Sequence, residues 1–334
     1  MPRLQLSVLD QSPAVAGRGE DDAIRESLAL APHCEALGYR RYWVSEHHSL
    51  NAIVGTAPEV LLAALAVRTT TIRLGSAGVM LPHYAALKVA EQFRVLEALA
   101  PGRIDLGVGR APGADMRTAM ALNPNAHQAA DDFPTQVRDL QLWLAGQPHQ
   151  GITAHPRGPG TPEVWILGSS DYGAQLAAHF GLPYAFAYFF TDGQGCAEAL
   201  ALYRQRYRPS ERHPEPQATI CVWALAAASD DAAQHHALPR ERWRLDRQRG
   251  IFGPLRAPDE LAVQGYSAAE QTHVDTLRSK AFVGTPDRVA ARLRALAAEL
   301  QLDELVVNTW THDPEVRRQS YRLLARAFDL APRS

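Results

Sequence analysis

A-E-Q-F-R-V-L-E-A-L-A-P-G-R-I-D-L-G-V-G-R, residues 90–110, is the stretch on which the fold turns. A helical pattern over 84–100 stops at Pro101-Gly102, and a β-rich run, Arg103–Val108, follows at once. The same alternation continues in both directions, with no repeat or low-complexity segment between. Strands are predicted at Leu4–Asp10, Arg41–Ser45, Ile72–Met80, Arg103–Val108, Glu163–Leu167, Tyr184–Phe189, Ile220–Ala226 and Glu304–Thr309. Helical patterns follow them near 20–37, 58–69, 84–100, 127–145, 172–180, 193–207, 229–247 and 314–328, with one more over 286–300. Short strands alternating with longer helices mark a parallel α/β sheet, and eight such units predict a closed (β/α)8 barrel rather than an open doubly wound sheet.

Residues 1–334 therefore read as one barrel domain, large enough to enclose a sizeable core. Gly38 ends one helix, and Gly284-Thr285-Pro286-Asp287 places an N-cap threonine before an N1 proline; this motif precedes the last predicted helix and strand and reads as a cap. Residues 248–283 break the alternation with Gly250, Gly253, Pro254 and Pro258. They are expected to form an insertion after strand seven that shapes the barrel mouth, with Phe252 and Leu255 beside Met116 and Met120 of the 112–126 segment.

With 34 basic and 36 acidic side chains the formal charge is −2, which gives no general attraction for nucleic acid or an anionic membrane surface. Cys34, Cys196 and Cys221 are odd in number and far apart, which argues against a disulfide framework and for a reducing cytoplasm. The N-terminal apolar run is cut short by Asp10, so no signal peptide is expected. The longest stretch without formal charge, Tyr172 to Thr191, is interrupted by Gln175, His179, Gly181 and Pro183, so no membrane span is expected either.

In a barrel, side chains at the C-terminal ends of the strands face the site. Glu46-His47-His48 follows the second strand. No metal-ligand spacing occurs among the thirteen histidines, so the choice lies between a site histidine and one merely hydrogen-bonded at a strand end. After the fourth strand, D-L-G-V-G-R-A-P-G (105–113) is not a dinucleotide fingerprint, because its glycines run G-x-G-x-x-x-G and Pro112 interrupts the turn. Arg110 suits a phosphate or carboxylate, or equally a surface ion pair. After the fifth strand, L-G-S-S-D-Y-G (167–173) brings the Ser169 and Ser170 hydroxyls to a helix start, an anion cradle or a simple N-cap. Gly75-Ser76-Ala77-Gly78 on the third strand leaves room for a flat group or for close helix–strand packing.

Taken together, S-E-H-H, L-G-S-A-G-V-M-L-P, the 90–110 stretch and L-G-S-S-D-Y-G-A-Q-L-A-A-H-F-G-L-P resemble the bacterial luciferase-like flavin monooxygenases, from the first strand to about residue 190 and again over 280–310. The resemblance implies a TIM barrel with FMN at its C-terminal mouth, reduced FMN and O2 as cosubstrates and a small organic substrate. It also implies site roles. His47 matches the catalytic histidine, Glu46 a residue beside the ring system, and Ala77-Gly78 a pair joined by a cis peptide beneath it. Arg110, Ser170 and the Gly173 backbone match the phosphate grip, with Ser169 alongside. Gly109 stands where luciferases have a reactive cysteine, so no thiol is expected near the flavin. Ser49–Val54 and L-P-H-Y-A-A-L (81–87) also depart from the usual pattern near the substrate. With no second nucleotide site readable, a separate flavin reductase is expected to supply reduced FMN; a homodimer is expected too. Relatives of this fold that use the deazaflavin F420, or that bind flavin without catalysis, are the alternatives.

Overall fold

The computed structural model describes residues 4–110 and 115–332. Nine strands occur among them: β1 (Gln5–Asp10), β2 (Arg41–Val44), β3 (Arg73–Met80), β4 (Ile104–Gly109), β5 (Glu163–Gly168), β6 (Tyr184–Phe186), β7 (Ala218–Ala226), β8 (Phe282–Gly284) and β9 (Glu304–Asn308). The parallel order β6-β5-β4-β3-β2-β1-β9-β7 closes through β6–β7 pairing, which makes the eight-stranded barrel. β8 is additional and pairs with the last three residues of β7.

Side chains alternate across each strand, and the two faces build different layers. Tyr42, Val44, Leu305 and Val307 join the layer between sheet and helices. Trp43 and Val306, between them, point into the barrel with Leu9, Trp165, Ala185 and Cys221. Both faces are covered, which is why β4 is buried along its whole length. The helix of the 90–110 stretch, Ala86–Leu99, buries Val89, Ala90, Phe93 and Leu96 and then stops. Gly102 takes the left-handed turn there, with φ 74°, and its N–H donates to Glu97 Oε1 at 2.7 Å.

The interior near the strands' N-terminal ends is filled by charge. Arg41, 1% exposed, donates from Nη1 to Asp105 at 2.8 Å and from Nε to Glu304 at 2.9 Å. Arg73 binds Asp105 and reaches Glu163 at 3.0 Å, while Trp43 Nε1 donates to Asp105 at 2.9 Å. Burial by itself would push the Arg41 guanidinium down, but the carboxylates of Asp105, Glu304 and Glu163 outweigh it and hold it raised. Burial likewise favours neutral Asp105, and Arg41 and Arg73 overcome it to keep the carboxyl below its usual range. Such a plug holds together because every charge in it faces its opposite.

Three expectations need correction. Strand six ends at Phe186, not Phe189, because the chain enters a short helix, Tyr188–Thr191, in which Phe189 and Phe190 stack at 4.6 Å. The helix expected over 127–145 is two, Ala126–Asp131 and Phe133–Leu144, since Pro134 cannot continue the first and suits the start of the second. Residues 248–283, expected as an insertion after strand seven, hold helices Pro258–Gln264 and Ala268–Lys280 and the start of β8. Leu255 there is buried with Val15, Ile53 and Trp310, bracing the loop after β1. Finally, Gly284 closes a strand, so the G-T-P-D motif follows one; Thr285 sits at the N-cap without a side-chain capping bond, and its N–H donates to Asp230 at 3.0 Å.

Candidate active site

The C-terminal strand ends surround a cavity of about 330 Å³. Its floor is apolar: Leu9, Trp43, Cys221 and Val306 line it. One side carries His47, Ala77 and Gly78; another carries Gly109, Arg110, Ser169, Ser170, Tyr172 and Gly173; Phe186, Phe189 and Phe190 form a third. Seven of the eight residues expected at the site thus meet around one space.

The anion end follows from two neighbouring strands. β4 and β5 pair directly, so Arg110 after one and Ser169-Ser170 after the other are delivered to the same rim. Arg110 lies with its Cζ 4.0 Å from the Tyr172 ring centroid and has no ion pair among the described residues, which sets aside the surface-pair alternative. Ser170 is the N-cap of the Asp171–Phe180 helix, yet its side chain makes no capping bond. The N–H groups of that first turn are therefore free to meet an outside acceptor. A Cβ on Gly173 would stand 3.2 Å from Tyr184 and 3.4 Å from the Gly168 Cα, so these glycines let the helix start press against the strand end. Pro112 and Gly113 lie outside the described residues.

On β3 the small residues divide. A Cβ on Gly75 would fall 2.6 Å from that of Asp105, and Ser76 donates to Gly107 O at 2.9 Å; both serve barrel packing. Ala77 and Gly78 face the cavity, and the peptide between them is cis, as the resemblance implied.

His47 faces the cavity because side chains along an extended segment alternate, and the same rule turns its neighbours away. Glu46, fully buried, is outside the lining. It accepts from Tyr84 Oη at 2.8 Å and from the Met80 N–H at 3.1 Å, and lies 2.8 Å from His48 Nε2. Glu46 is thus the one expected site residue that does not line the cavity; its partners are His48, Met80 and Tyr84. His47 itself has Nδ1 3.1 Å from Ser45 Oγ and its N–H bonded to Gly55 O at 2.9 Å. Burial pushes its pKa down to about 4 against an opposing pull from Glu46, with His48 and Arg247 adding to the fall. The ring is neutral at neutral pH, a donor at one nitrogen and an acceptor at the other.

Three lining features escaped the sequence reading. Gln11, one residue past β1 and 2% exposed, accepts from Asn308 Nδ2; applying the strand-end rule to the first strand would have found it. Tyr172 was read only as part of a helix. Cys221 puts a thiol in the cavity floor, where burial raises its pKa well above the ordinary value and keeps it protonated. Among the described residues no group of three His, Cys, Asp or Glu could hold a metal ion, and no helix is long and apolar enough to cross a membrane.

A closed parallel barrel with a cavity at the C-terminal ends of its strands defines a class, the (β/α)8 barrels. Within it, the chain belongs to the luciferase-like monooxygenase family, whose profile matches residues 4–304. It is 42% identical over 333 residues to protein YwcH of Bacillus subtilis (strain 168), covering 97% of this chain and 99% of that one. It is 40% identical over 321 residues to a luciferase-like monooxygenase of Escherichia coli (strain K12), covering 96% of each. The N-acetyl-S-alkylcysteine monooxygenase of Bacillus subtilis (strain 168) is 32% identical over 336 residues, covering 99% of this chain and 100% of that one. The crystal structure of apo-MsnO8 superposes with a TM-score of 0.93 at 36% identity, covering 99% of this chain and 100% of that one. Two more distant structures share the fold alone. The oxygenating constituent of 3,6-diketocamphane monooxygenase from Pseudomonas putida, in complex with FMN, has a TM-score of 0.72 at 19% identity and covers 99% of this chain and 98% of that one. An F420-dependent secondary alcohol dehydrogenase has a TM-score of 0.68 at 15% identity and covers 99% of this chain and 100% of that one.

Proposed function

We propose that this monooxygenase-family chain takes up reduced FMN, reacts it with O2 and oxygenates a small organic substrate, with a separate flavin reductase supplying the electrons. The observation that carries this is the convergence of Arg110, the free helix start at Ser169-Ser170-Gly173, the Ala77-Gly78 backbone and His47 on one cavity. No carboxylate lines that cavity among the described residues, so an anionic tail meets only donors. Reduced FMN, when bound, supplies the reducing power that activates O2. The chain's part is to grip the phosphate with Arg110 and the Ser170 helix start, seat the ring against Ala77-Gly78, and keep bulk water off with the aromatic wall. His47 holds or passes a proton; Ser45 occupies Nδ1, which leaves Nε2 for the cavity. FMN in the Pseudomonas putida structure supports the choice of cofactor, and its description as an oxygenating constituent supports the two-component arrangement.

The deciding experiment mixes the protein, FMN and NADH or NADPH under nitrogen and follows flavin absorbance. Bleaching only after a flavin reductase is added supports the two-component reading; rapid bleaching without one overturns it. N-acetyl-S-alkylcysteines, named for one relative, are the first substrates to try. One observation favours F420 as the second reading: Tyr172 also lines an outer hollow of about 350 Å³ with Arg206, Arg208 and His179, where a longer anionic tail could lie. Parallel titration with FMN and F420 separates the two. The homodimer stays a proposal, supported by exposed Val60, Val67, Val95 and Leu99 on or beside the adjoining helices Pro58–Ala66 and Ala86–Leu99, with sedimentation as its test. A cytoplasmic setting is likewise proposed, from three free, buried cysteines.

A further inference from the structure

The Asp230–Gln248 helix carries Arg240, Arg242, Arg244 and Arg247, and Arg249 caps it. Arg242 and Arg249 both reach Glu270 at 2.9 Å, and Arg244 is paired with Asp192 at 2.7 Å. Arg240 packs on Trp223, its Cζ 4.2 Å from the ring centroid. Positions 240, 244 and 247 share one helix face, and that face runs toward the aromatic wall of the cavity. At its end Arg247 is exposed, 6.0 Å from the centroid of Phe190, which lines the cavity, and 5.7 Å from that of Trp243. Both distances are at the outer limit of a cation–π contact, so the rings steer the guanidinium without occupying its N–H donors. No carboxylate or carbonyl takes those donors among the described residues. A cation near a helix C-terminus is favoured by the helix dipole, which is a sufficient reason for a basic residue here. It does not explain why Arg242, Arg244 and Arg249 have carboxylates and Arg240 lies over a ring at 4.2 Å, while the exposed Arg247 beside the cavity has neither a carboxylate nor a close ring among the described residues.

We infer that Arg247 recognises an anionic group, a carboxylate or sulfonate, on the substrate, holding it at the rim while the apolar part enters beside His47. This rests on the reading that the cavity receives both cofactor and substrate. Arg110 stands over Tyr172 and Arg247 over Phe190, so the two cations serve different ligands: the first the cofactor phosphate, the second the substrate. A charge on His47's side of the cavity fits the lowered pKa of that ring, to which Arg247 contributes.

The test uses the full chain loaded with FMN, and a panel of acids with their primary amides: N-acetyl-S-benzylcysteine, benzoate and octanoate. Binding is followed by calorimetry and by perturbation of the flavin spectrum. The native protein is expected to bind at least one acid about tenfold or more tightly than its amide, since a charged hydrogen bond is worth about 1.5–3 kcal/mol. Arg247→Met should bring acid and amide within about twofold, Arg247→Lys should keep part of the preference, and FMN affinity should hold in both. If no acid is preferred to its amide, or if Arg247→Met keeps the preference, the inference is overturned. If FMN itself fails to bind the native chain, the cofactor reading falls instead, and the same acid–amide comparison on the flavin-free protein still decides the role of Arg247.

Discussion

The two ends of this barrel treat charge in opposite ways. At the strands' N-terminal ends Arg41, Asp105 and Glu304 are buried, Arg73 and Glu163 partly so, and each has its counterpart. At the C-terminal ends Arg110 and Arg247 have only aromatic rings beneath them, and His47 is held neutral. Groups satisfied within the chain serve folding, whereas groups the fold brings together and leaves unsatisfied await something from outside. Mutations at the lower end should therefore be read in stability, and those at the upper end in binding and turnover.

The sharpest contrast comes from His47. Replacing it with Ala should leave the fold and FMN binding intact but reduce oxygenated product per reduced FMN by about 10²–10⁴-fold, the usual worth of a positioned acid or base. Native turnover in His47→Ala would assign the imidazole to structure alone. Arg41→Met should do the reverse, costing about 3–5 kcal/mol in denaturant unfolding because three carboxylates lose their shared cation. A loss below about 1 kcal/mol would mean the plug relaxes or takes in water, and the contrast between the ends would fail.

Arg110→Ala should weaken FMN by about one to two decades while sparing riboflavin, with stability unchanged within about 0.5 kcal/mol. Equal losses for the two flavins would remove the phosphate assignment. The smallest effect is that of pH. His47 titrates near 4 in the folded chain against 6.5 when unfolded, so the unfolded state binds more protons between those values. Its contribution is complete above pH 6.5 and is lost as pH falls toward 4, on the order of 1–2 kcal/mol once solvent access to the ring is allowed for. The native chain should lose that much more stability than His47→Ala as pH falls through the window, because the variant has no ring to protonate.

The eight barrel strands were legible because each is a short β-rich run between helical patterns, and the strand-end rule then pointed to the candidate site. β8 was not, being three residues, F-V-G, behind a charged helix and too short to show a period. The charged plug was invisible for another reason. Arg41 and Glu304 stand 263 positions apart and meet only when the barrel closes, so no local pattern announces their pairing. The different surroundings of Glu46 and His47 do not show in E-H-H read as a unit; alternation along an extended segment sends His47 to the cavity and its two neighbours the other way. Cys221 looked like an ordinary core residue in sequence, and only the inward register of β7 brings it to the cavity floor.

The filled lower end also governs traffic. Charge and the packed Trp43–Trp165 pair fill the barrel from below, so among the described residues the cavity lies toward the strands' C-terminal ends. A molecule lying on the floor must arrive before whatever stands at Phe190 and cannot depart past it. Under the proposed function loading is a queue, flavin first and substrate second, and the exit runs in reverse. Initial rates with both varied should show flavin adding ahead of substrate, and excess substrate should slow turnover by detaining spent flavin behind it.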